Sequence, residues 1–312
     1  MKIGITGGAG FIGGHVADIA RERGHTVLIF DHLGRKTHFD DEVLLGDVRD
    51  PVAMAELAAH TDGVIHLAAC LGTQETIRNP RPATETNVVG GLNFLEAVTQ
   101  YDIPGVYICV GNHWMDNSYS ISKTTIERFT RMFNKERGSR VNMVRLVNAY
   151  GPRQSVAPPF GPAKVRKIIP AFICRALTGA LLEVYGDGTQ VSDMVHVRDG
   201  SLALVKALEY ANTGTVFNEV VEVGPRESAT VNQVAYAVLD AVTELGMSPA
   251  KDLLHLPMRP GEISGAKVTA NTDTLSLIDM DLDKLISLDI GIYDTVKWFV
   301  LNWLPNYYSN KL

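Results

Sequence analysis

Apolar and polar positions alternate in two rhythms along this chain. Short, nearly continuous apolar runs at residues 2–6, 26–31, 43–46, 63–67, 105–110 and 142–146 predict strands covered on both faces. Between them, residues 11–23, 51–59, 83–101 and 119–137 carry apolar positions at helical spacing. Strands separated by such helices predict βαβ units, and so a doubly wound parallel α/β sheet.

After residue 150 the rhythm is less regular. Pro158, Pro159, Gly161 and Pro162 mark residues 155–164 as a loop leaving the first part. A helix is predicted over 169–177, a strand over 182–185, a turn at Gly186-Asp187-Gly188, and helices over 199–209 and 231–244. No repeat or low-complexity linker separates the parts, which predicts interleaved domains.

Composition narrows the function classes. With 29 Lys+Arg against 35 Asp+Glu and no basic block, the net charge of −6 argues against a nucleic-acid partner. The three cysteines, Cys70, Cys109 and Cys174, form no C-x-x-C pair. Neither a disulfide framework nor a metal site is expected, and a reducing compartment is. The start, MKIGITGGAGFIGG, lacks a signal-type cleavage region. No apolar run reaches the ~18 residues of a membrane span. A soluble, cytoplasmic protein without a membrane partner is expected.

The first strand runs into Gly7-Gly8-Ala9-Gly10-Phe11-Ile12-Gly13 and then into a helix. In that context the glycines predict a dinucleotide cradle, and the sheet becomes one of Rossmann type. Gly7 permits the tight turn, Gly10 admits a pyrophosphate, and Gly13 lets helix and strand pack closely. The helix N-terminus offers amide N–H groups to phosphate. Asp31, at the end of the second strand, is placed to accept both ribose hydroxyls and to repel a 2′-phosphate, which favours NAD over NADP. Arg35 and Lys36 weigh the other way. Asp47 is either an adenine contact or a solvated loop carboxylate.

Tyr119 and Lys123 stand one turn apart on one helix face. A nearby ammonium, together with a positive nicotinamide ring, lowers a tyrosine's pKa and lets its oxygen take a proton. Behind a dinucleotide cradle, this pair is a candidate catalytic couple.

The matching stretches now extend over most of the chain: TGGAGFIG (6–13), GDVRD (46–50), HLAA (66–69), Asn87, YSISK (119–123), RLVNAYGPRQ (145–154), VYGDGTQVSDMVHVRD (184–199) and RPGE (259–262). In these motifs the sequence resembles the extended short-chain dehydrogenase/reductase superfamily, in its NAD-dependent nucleotide-sugar epimerase/dehydratase branch. The resemblance implies NAD as a retained cofactor and a sugar bound through its nucleoside diphosphate. It implies that Gly7, Gly10, Phe11, Ile12 and Asp31 contact NAD, with Asp47, Val48, Leu67, Ala68, Ala69 and Asn87 lining its adenine and ribose side. Tyr119 would be the general base and Lys123 its partner, also bonding the nicotinamide ribose. Asn148 and Arg259 would lie at the substrate diphosphate, and Thr76 would touch the sugar. His66 reads as a packing residue at a strand end. The helices at 83–101 and 119–137, which carry Phe94, Phe129, Met132 and Phe133, would build a homodimer interface.

Two departures from the family pattern stand out. The family usually carries Ser or Thr just past the fifth strand, where this chain has Cys109-Val110-Gly111-Asn112-His113-Trp114-Met115. Asn112 or His113 is the replacement, unless a water fills in. Dehydratases of the family also carry an Asp-Glu pair in this region, and it is absent. Glu75, Asp116, His113 or Cys109 would have to serve. The second departure is Ser192, where an arginine usually precedes the aspartate; Lys164, Arg166 and Lys167 are possible compensators.

The expectation is therefore epimerisation, at C4, through a transient 4-keto sugar. Dehydration or uronic-acid decarboxylation through the same intermediate is the alternative. A non-catalytic NAD-binding role is weighed against by the intact Tyr119 and Lys123. Residues 1–151 plus 195–223 are expected to form the NAD domain, and 152–194 plus 224–312 a smaller α+β substrate domain.

Overall fold

The structure, a computed structural model, describes residues 1–32, 42–259 and 265–309. The chain divides into two compact units, Met1–Leu146 with Val197–Val223 and Asn271–Asp281, and Val147–His196 with Gly224–Ala270 and Leu282–Leu312.

The first unit begins β1 (Lys2–Thr6), α1 (Phe11–Glu22), β2 (Thr26–Asp31), β3 (Glu42–Leu45), α2 (Pro51–Ala59) and β4 (Gly63–His66). It continues with α3 (Arg81–Thr84), a π-helical turn (Glu85–Val89), α4 (Gly90–Gln100), β5 (Gly105–Cys109), α5 (Ser118–Arg137) and β6 (Val141–Leu146). The chain passes into the second unit for α6 (Ile168–Leu177), β7 (Leu182–Tyr185) and β8 (Val191–Ser192). It resumes the first with α7 (Val197–Asn212) and β9 (Val221–Val223). The second unit is completed by α8 (Val231–Glu244), β10 (Leu253–Leu256), β11 (Lys267–Val268), α9 (Leu288–Trp298) and α10 (Leu304–Ser309).

In the first unit a seven-stranded parallel sheet has the order β3-β2-β1-β4-β5-β6-β9. The order reverses between β1 and β4, so the crevice beyond their carboxyl ends is the switch point where such sheets take ligands. Ile3, Ile5, Ile29, Phe30, Val64 and Ile65 are almost wholly buried, because helices cover both faces of the sheet. The helix ends follow local chemistry. Asp50 caps α2, accepting from the Val52 N–H at 2.9 Å, with Pro51 at the first helical position. Asn117 caps α5, accepting from Ser120 N–H at 3.0 Å, and Gly138 ends it at φ 70°.

The predicted single helix over 83–101 is instead α3, a π-helical turn and α4. Side-chain periodicity does not reveal an inserted residue of this kind, which recurs at functional sites. The unit boundaries also differ from those drawn on sequence. Residues 147–151 and 195–196 group with the second unit, and Asn271–Asp281 with the first. Thr274 Oγ1 accepts from the Glu222 N–H at 2.8 Å, and Leu275 and Ile278 are buried.

In the second unit, α6 and α8 share a core of Ile169, Phe172, Ile173, Val234, Val238 and Val242, closed by Val296 and Phe299. Thr230 and Gln233 form a capping box on α8. Its strands pair as β10 with β7 and β11 with β8, both parallel.

Candidate functional site

The turn after β1 is built by backbone crowding. Gly7 has φ +68°, and its N–H donates to Phe30 O at 2.8 Å. A Cβ on Gly7 would lie 2.9 Å from Ala68 N. One on Gly13 would lie 2.4 Å from Gly7 O and 2.6 Å from Gly8 Cα. The turn and the first turn of α1 are thus pressed against each other. Gly10 is the N-cap of α1 and brings no side chain, so no cap covers the amides of Phe11 and Ile12. This is a cradle fitted to a pyrophosphate. Asp31 is buried at the carboxyl end of β2 and accepts from the Ala9 N–H at 3.2 Å. Arg35 and Lys36 lie outside the described residues.

The far wall is set by Thr6 and Asn87. Thr6 Oγ1 accepts from the N–H groups of Leu67, at 3.1 Å, and Ala68, at 3.2 Å. Its own proton is left for His66 Nδ1, 2.9 Å away. His66 stacks on Phe94 with ring centroids 4.8 Å apart, and burial, with the Lys123 charge, pushes it down to about 3. His66 is a neutral packing residue, as its position at a strand end suggested. Asn87, on the π-helical turn, accepts from Cys70 N–H at 2.7 Å and donates to Cys70 O at 3.2 Å and Ser122 Oγ at 2.9 Å. It holds the chain after Ala69 against α5. Val48 is buried beneath Gly90, and its carbonyl accepts from Asn93 at 2.9 Å. Asp47 is neither a free loop carboxylate nor an open acceptor. Arg49 engages it with Nε at 3.0 Å from each oxygen, and the pair holds its carboxyl below the usual range.

Tyr119 and Lys123 occupy the first two turns of α5. Lys123 is buried, its Nζ 4.1 Å from the centroid of the Tyr107 ring. Tyr107 donates to the Lys123 carbonyl at 3.1 Å, tying α5 to β5. Burial pushes Lys123 down to about 8 and Tyr119 up to about 12. Burial thus favours the neutral phenol. A positive charge brought near Tyr119, such as a nicotinamide ring would carry, acts in the opposite direction and favours the phenolate.

Beyond β5, Asn112 is half-buried, with Nδ2 2.9 Å from Met115 Sδ, a weak acceptor. His113 is exposed, with Nδ1 3.3 Å from Gly111 O. Thr124 Oγ1 reaches His113 O at 3.4 Å, which keeps this turn beside α5. Cys109 is buried, and its thiol is pushed up by burial and by Glu127. That removes it as an acid or base, since a reactive thiol needs the opposite shift. Glu75 and Asp116 are exposed. Thr76 is buried and donates to Gly72 O at 2.7 Å, so its hydroxyl serves its own loop rather than standing open for a sugar.

In the second unit, Asn148 takes the left-handed φ of +42° and donates from Nδ2 to Ser192 Oγ at 2.5 Å and Asp193 O at 3.2 Å. Ser192 thus fills by hydrogen bonding a position where the resemblance leads one to expect a guanidinium. Arg259 lies over the Tyr185 ring, 4.8 Å from its centroid, and Arg166 Nη1 donates to Tyr185 Oη at 3.0 Å. Arg166, one of the possible compensators, and Arg259 converge on this one side chain.

Sequence reasoning missed Arg145 and Glu127, both buried, which ion-pair at 2.9 Å beneath the β5 exit. Their signal was available: an arginine in a strand otherwise apolar except for Asn142, and a glutamate one turn beyond Lys123. Among the described residues, no group of three or more His, Cys, Asp or Glu is placed to hold a metal ion, and no helix is long and apolar enough to cross a membrane.

Residues 3–224 match the family model described as the NAD dependent epimerase/dehydratase family. The chain is 29% identical to a UDP-N-acetyl-alpha-D-glucosaminuronate decarboxylase of Bacillus cytotoxicus, over 95% of this chain and 96% of that protein. It is 29% identical to a dTDP-glucose 4,6-dehydratase of Mycobacterium tuberculosis, over 77% of this chain and 78% of that protein. A UDP-glucose 4-epimerase of Thermotoga maritima, solved with UDP-glucose, superposes with a TM-score of 0.81 at 27% identity, covering 96% of this chain and 99% of that one. The names divide among decarboxylation, dehydration and epimerisation.

Proposed function

Because this chain belongs to the NAD-dependent epimerase/dehydratase family of enzymes, we propose that it is a nucleotide-sugar epimerase acting at C4. NAD, when bound, supplies the hydride acceptor and a positive ring that favours the Tyr119 phenolate. Tyr119 Oη takes the proton of the sugar 4-hydroxyl as the C4–H bond is broken, and the sugar becomes a 4-ketone. Lys123, with an ammonium on the same helix face, orients and stabilises the phenolate. When the opposite face of the ketone is presented and C4 regains its hydrogen, Tyr119 returns the proton to O4 with inverted configuration. Asn112 and His113 stand in for the family's hydroxyl residue in hydrogen bonding the sugar. Arg259, Asn148 and Arg166 hold the nucleoside diphosphate.

The observation that carries this choice is the segment between β5 and α5. Dehydration needs a second acid and base at C5 and C6, and this segment holds no carboxylate pair. Its thiol, Cys109, is buried and pushed up, and Glu75 and Asp116 are exposed. Epimerisation needs only the couple already present on α5; loss of carbon dioxide from a 4-keto hexuronic acid needs no more, and the products tell the two apart. The decarboxylase and dehydratase relatives keep the alternative outcome within the same test. Purified NAD-loaded protein is incubated with UDP-, dTDP- and GDP-sugars, hexoses and hexuronic acids, and the products are analysed by mass spectrometry and NMR. Inversion at C4 without change of mass is expected. Release of water or of carbon dioxide would overturn the assignment. Tyr119→Phe is expected to fold, keep NAD and lose about 10²–10⁴-fold in kcat.

A homodimer follows from the same reading. Ile121, Phe129 and Met132 lie along one stripe of α5, and Ile121 and Met132 are exposed, an apolar face suited to a second copy. Phe94 and Phe133, also expected at the interface, are buried in the core of the first unit.

A further inference from the structure

Arg145 is 5% exposed on β6, flanked in register by Cys109 on β5 and Glu222 on β9. Its planar guanidinium has three acceptors in three directions. Nε donates to the Val110 carbonyl at 2.9 Å, Nη2 to Glu127 Oε2 at 2.9 Å, and Nη1 to Glu222. Each carboxylate is held again from outside. Glu127 Oε1 accepts from Arg131 at 2.7 Å, and Glu222 Oε2 from the Asn271 N–H at 2.8 Å.

Fold stability does not explain this arrangement. Burying the Arg145–Glu127 pair incurs a desolvation cost that apolar side chains of similar volume avoid, often with equal or greater stability. The cluster does something an apolar plug would not, because it fixes directions. Val110 is the residue at which the chain leaves β5 for the Asn112–His113 turn. Glu127 is one turn beyond Lys123 on the same face of α5. Tyr107 already ties Lys123 to β5, so the pair from Glu127 and Arg145 to Val110 is a second tie between the same two elements. Two ties prevent α5 from rotating or sliding against the strand.

We propose that Arg145 is a positioning residue: by holding the Val110 carbonyl and the Glu127 carboxylate on one guanidinium, it sets the separation between the Asn112–His113 turn and the helix face carrying Tyr119 and Lys123. The inference rests on the reading of Tyr119 as the proton acceptor. Lysine keeps the charge of arginine but lacks the fork that serves three acceptors at once. Arg145→Lys therefore separates charge balance from positioning.

The experiment uses NAD-loaded wild-type and Arg145→Lys protein with 13C,15N-labelled lysine, the Lys123 resonance being assigned with Lys123→Arg. Loosening α5 re-solvates Lys123, so its titration midpoint is expected to lie about 0.5 or more on the pH scale above that of the NAD-loaded wild type. With the panel sugar that the wild type converts, kcat is expected to fall about 10- to 100-fold while KM stays within about twofold. A folded, NAD-loaded Arg145→Lys protein with an unchanged Lys123 titration and unchanged kcat overturns the proposal. Should Arg145→Lys not fold, Glu127→Gln, which keeps an acceptor oxygen in place, is read in the same two ways. A shifted Lys123 midpoint in a protein whose wild type converts no sugar sustains the positioning role and sinks the epimerase reading instead.

Discussion

His66 and Tyr119 are two titratable side chains whose chemistry is set by their surroundings. His66 gives up its charge because its ring lies between Thr6 and Phe94, with Lys123 nearby. Its folded value of about 3 against 6.5 means the unfolded chain binds the extra proton in that window. The stability His66 contributes is complete above pH 6.5 and is lost as pH falls through the window, by about 5 kcal/mol at most. His66→Asn keeps an acceptor for Thr6 but cannot titrate. Its unfolding free energy, measured by urea titration, is expected to fall less than that of the wild type between neutral pH and about pH 4.5, by about 2–3 kcal/mol. Parallel pH profiles for the two proteins would refute the assignment. Tyr119 runs the other way: desolvation raises it to about 12, and a positive charge near its oxygen would lower it again. The residues were legible at this scale, since Tyr119, Lys123 and His66 all stood out in the sequence. Their proton affinities were not, because desolvation depends on neighbours distant in the chain.

Among the elements, the turn from β1 into α1 was the most legible, and for a local reason. Glycine is required wherever backbone approaches backbone, and the sequence displays glycine directly. Gly13→Ala tests this against propensity. Within a helix the change should gain up to about 1 kcal/mol, yet the new Cβ would sit 2.4 Å from Gly7 O. The expected result is a net loss of about 1–3 kcal/mol together with loss of bound NAD, read by thermal unfolding and by cofactor content after purification. Gly24→Ala is the comparison, at φ +82° with nothing within 4 Å of the new Cβ; it should show mild destabilisation and normal NAD content. The π-helical turn that carries Asn87 was not legible. Its inserted residue leaves the apolar pattern nearly intact, and what holds it is contact with other elements: Gly90 against Val48 and Gly91 against Ile126.

For the molecule as a whole, the interleaving of two units follows from a sheet completed late. β9 joins β6 only after the chain has run through α6, β7 and β8. The proposed homodimer belongs to this scale. Ile121→Glu combined with Met132→Glu places charge on the exposed stripe of α5 without touching the core. Light scattering is expected to show a dimer for the wild type and a folded monomer for the double variant. An unchanged dimer would locate the interface elsewhere.

Sequence alone determined the parallel α/β sheet, the glycine turn from β1 into α1 and the placement of Tyr119 and Lys123 one turn apart on a helix. Each rests on a short-range signal: strand and helix periods, glycines at a turn, and two side chains one helical turn apart. Tertiary structure decided the rest. It buried the Cys109 thiol beside Glu127, which pushes it up, and gathered Arg145, Glu127 and Glu222 beneath the exit of β5. The physical reason is the same in every case. Hydrogen-bond saturation and desolvation depend on which groups the fold brings within about 3 Å, and that proximity has no local signature in the chain.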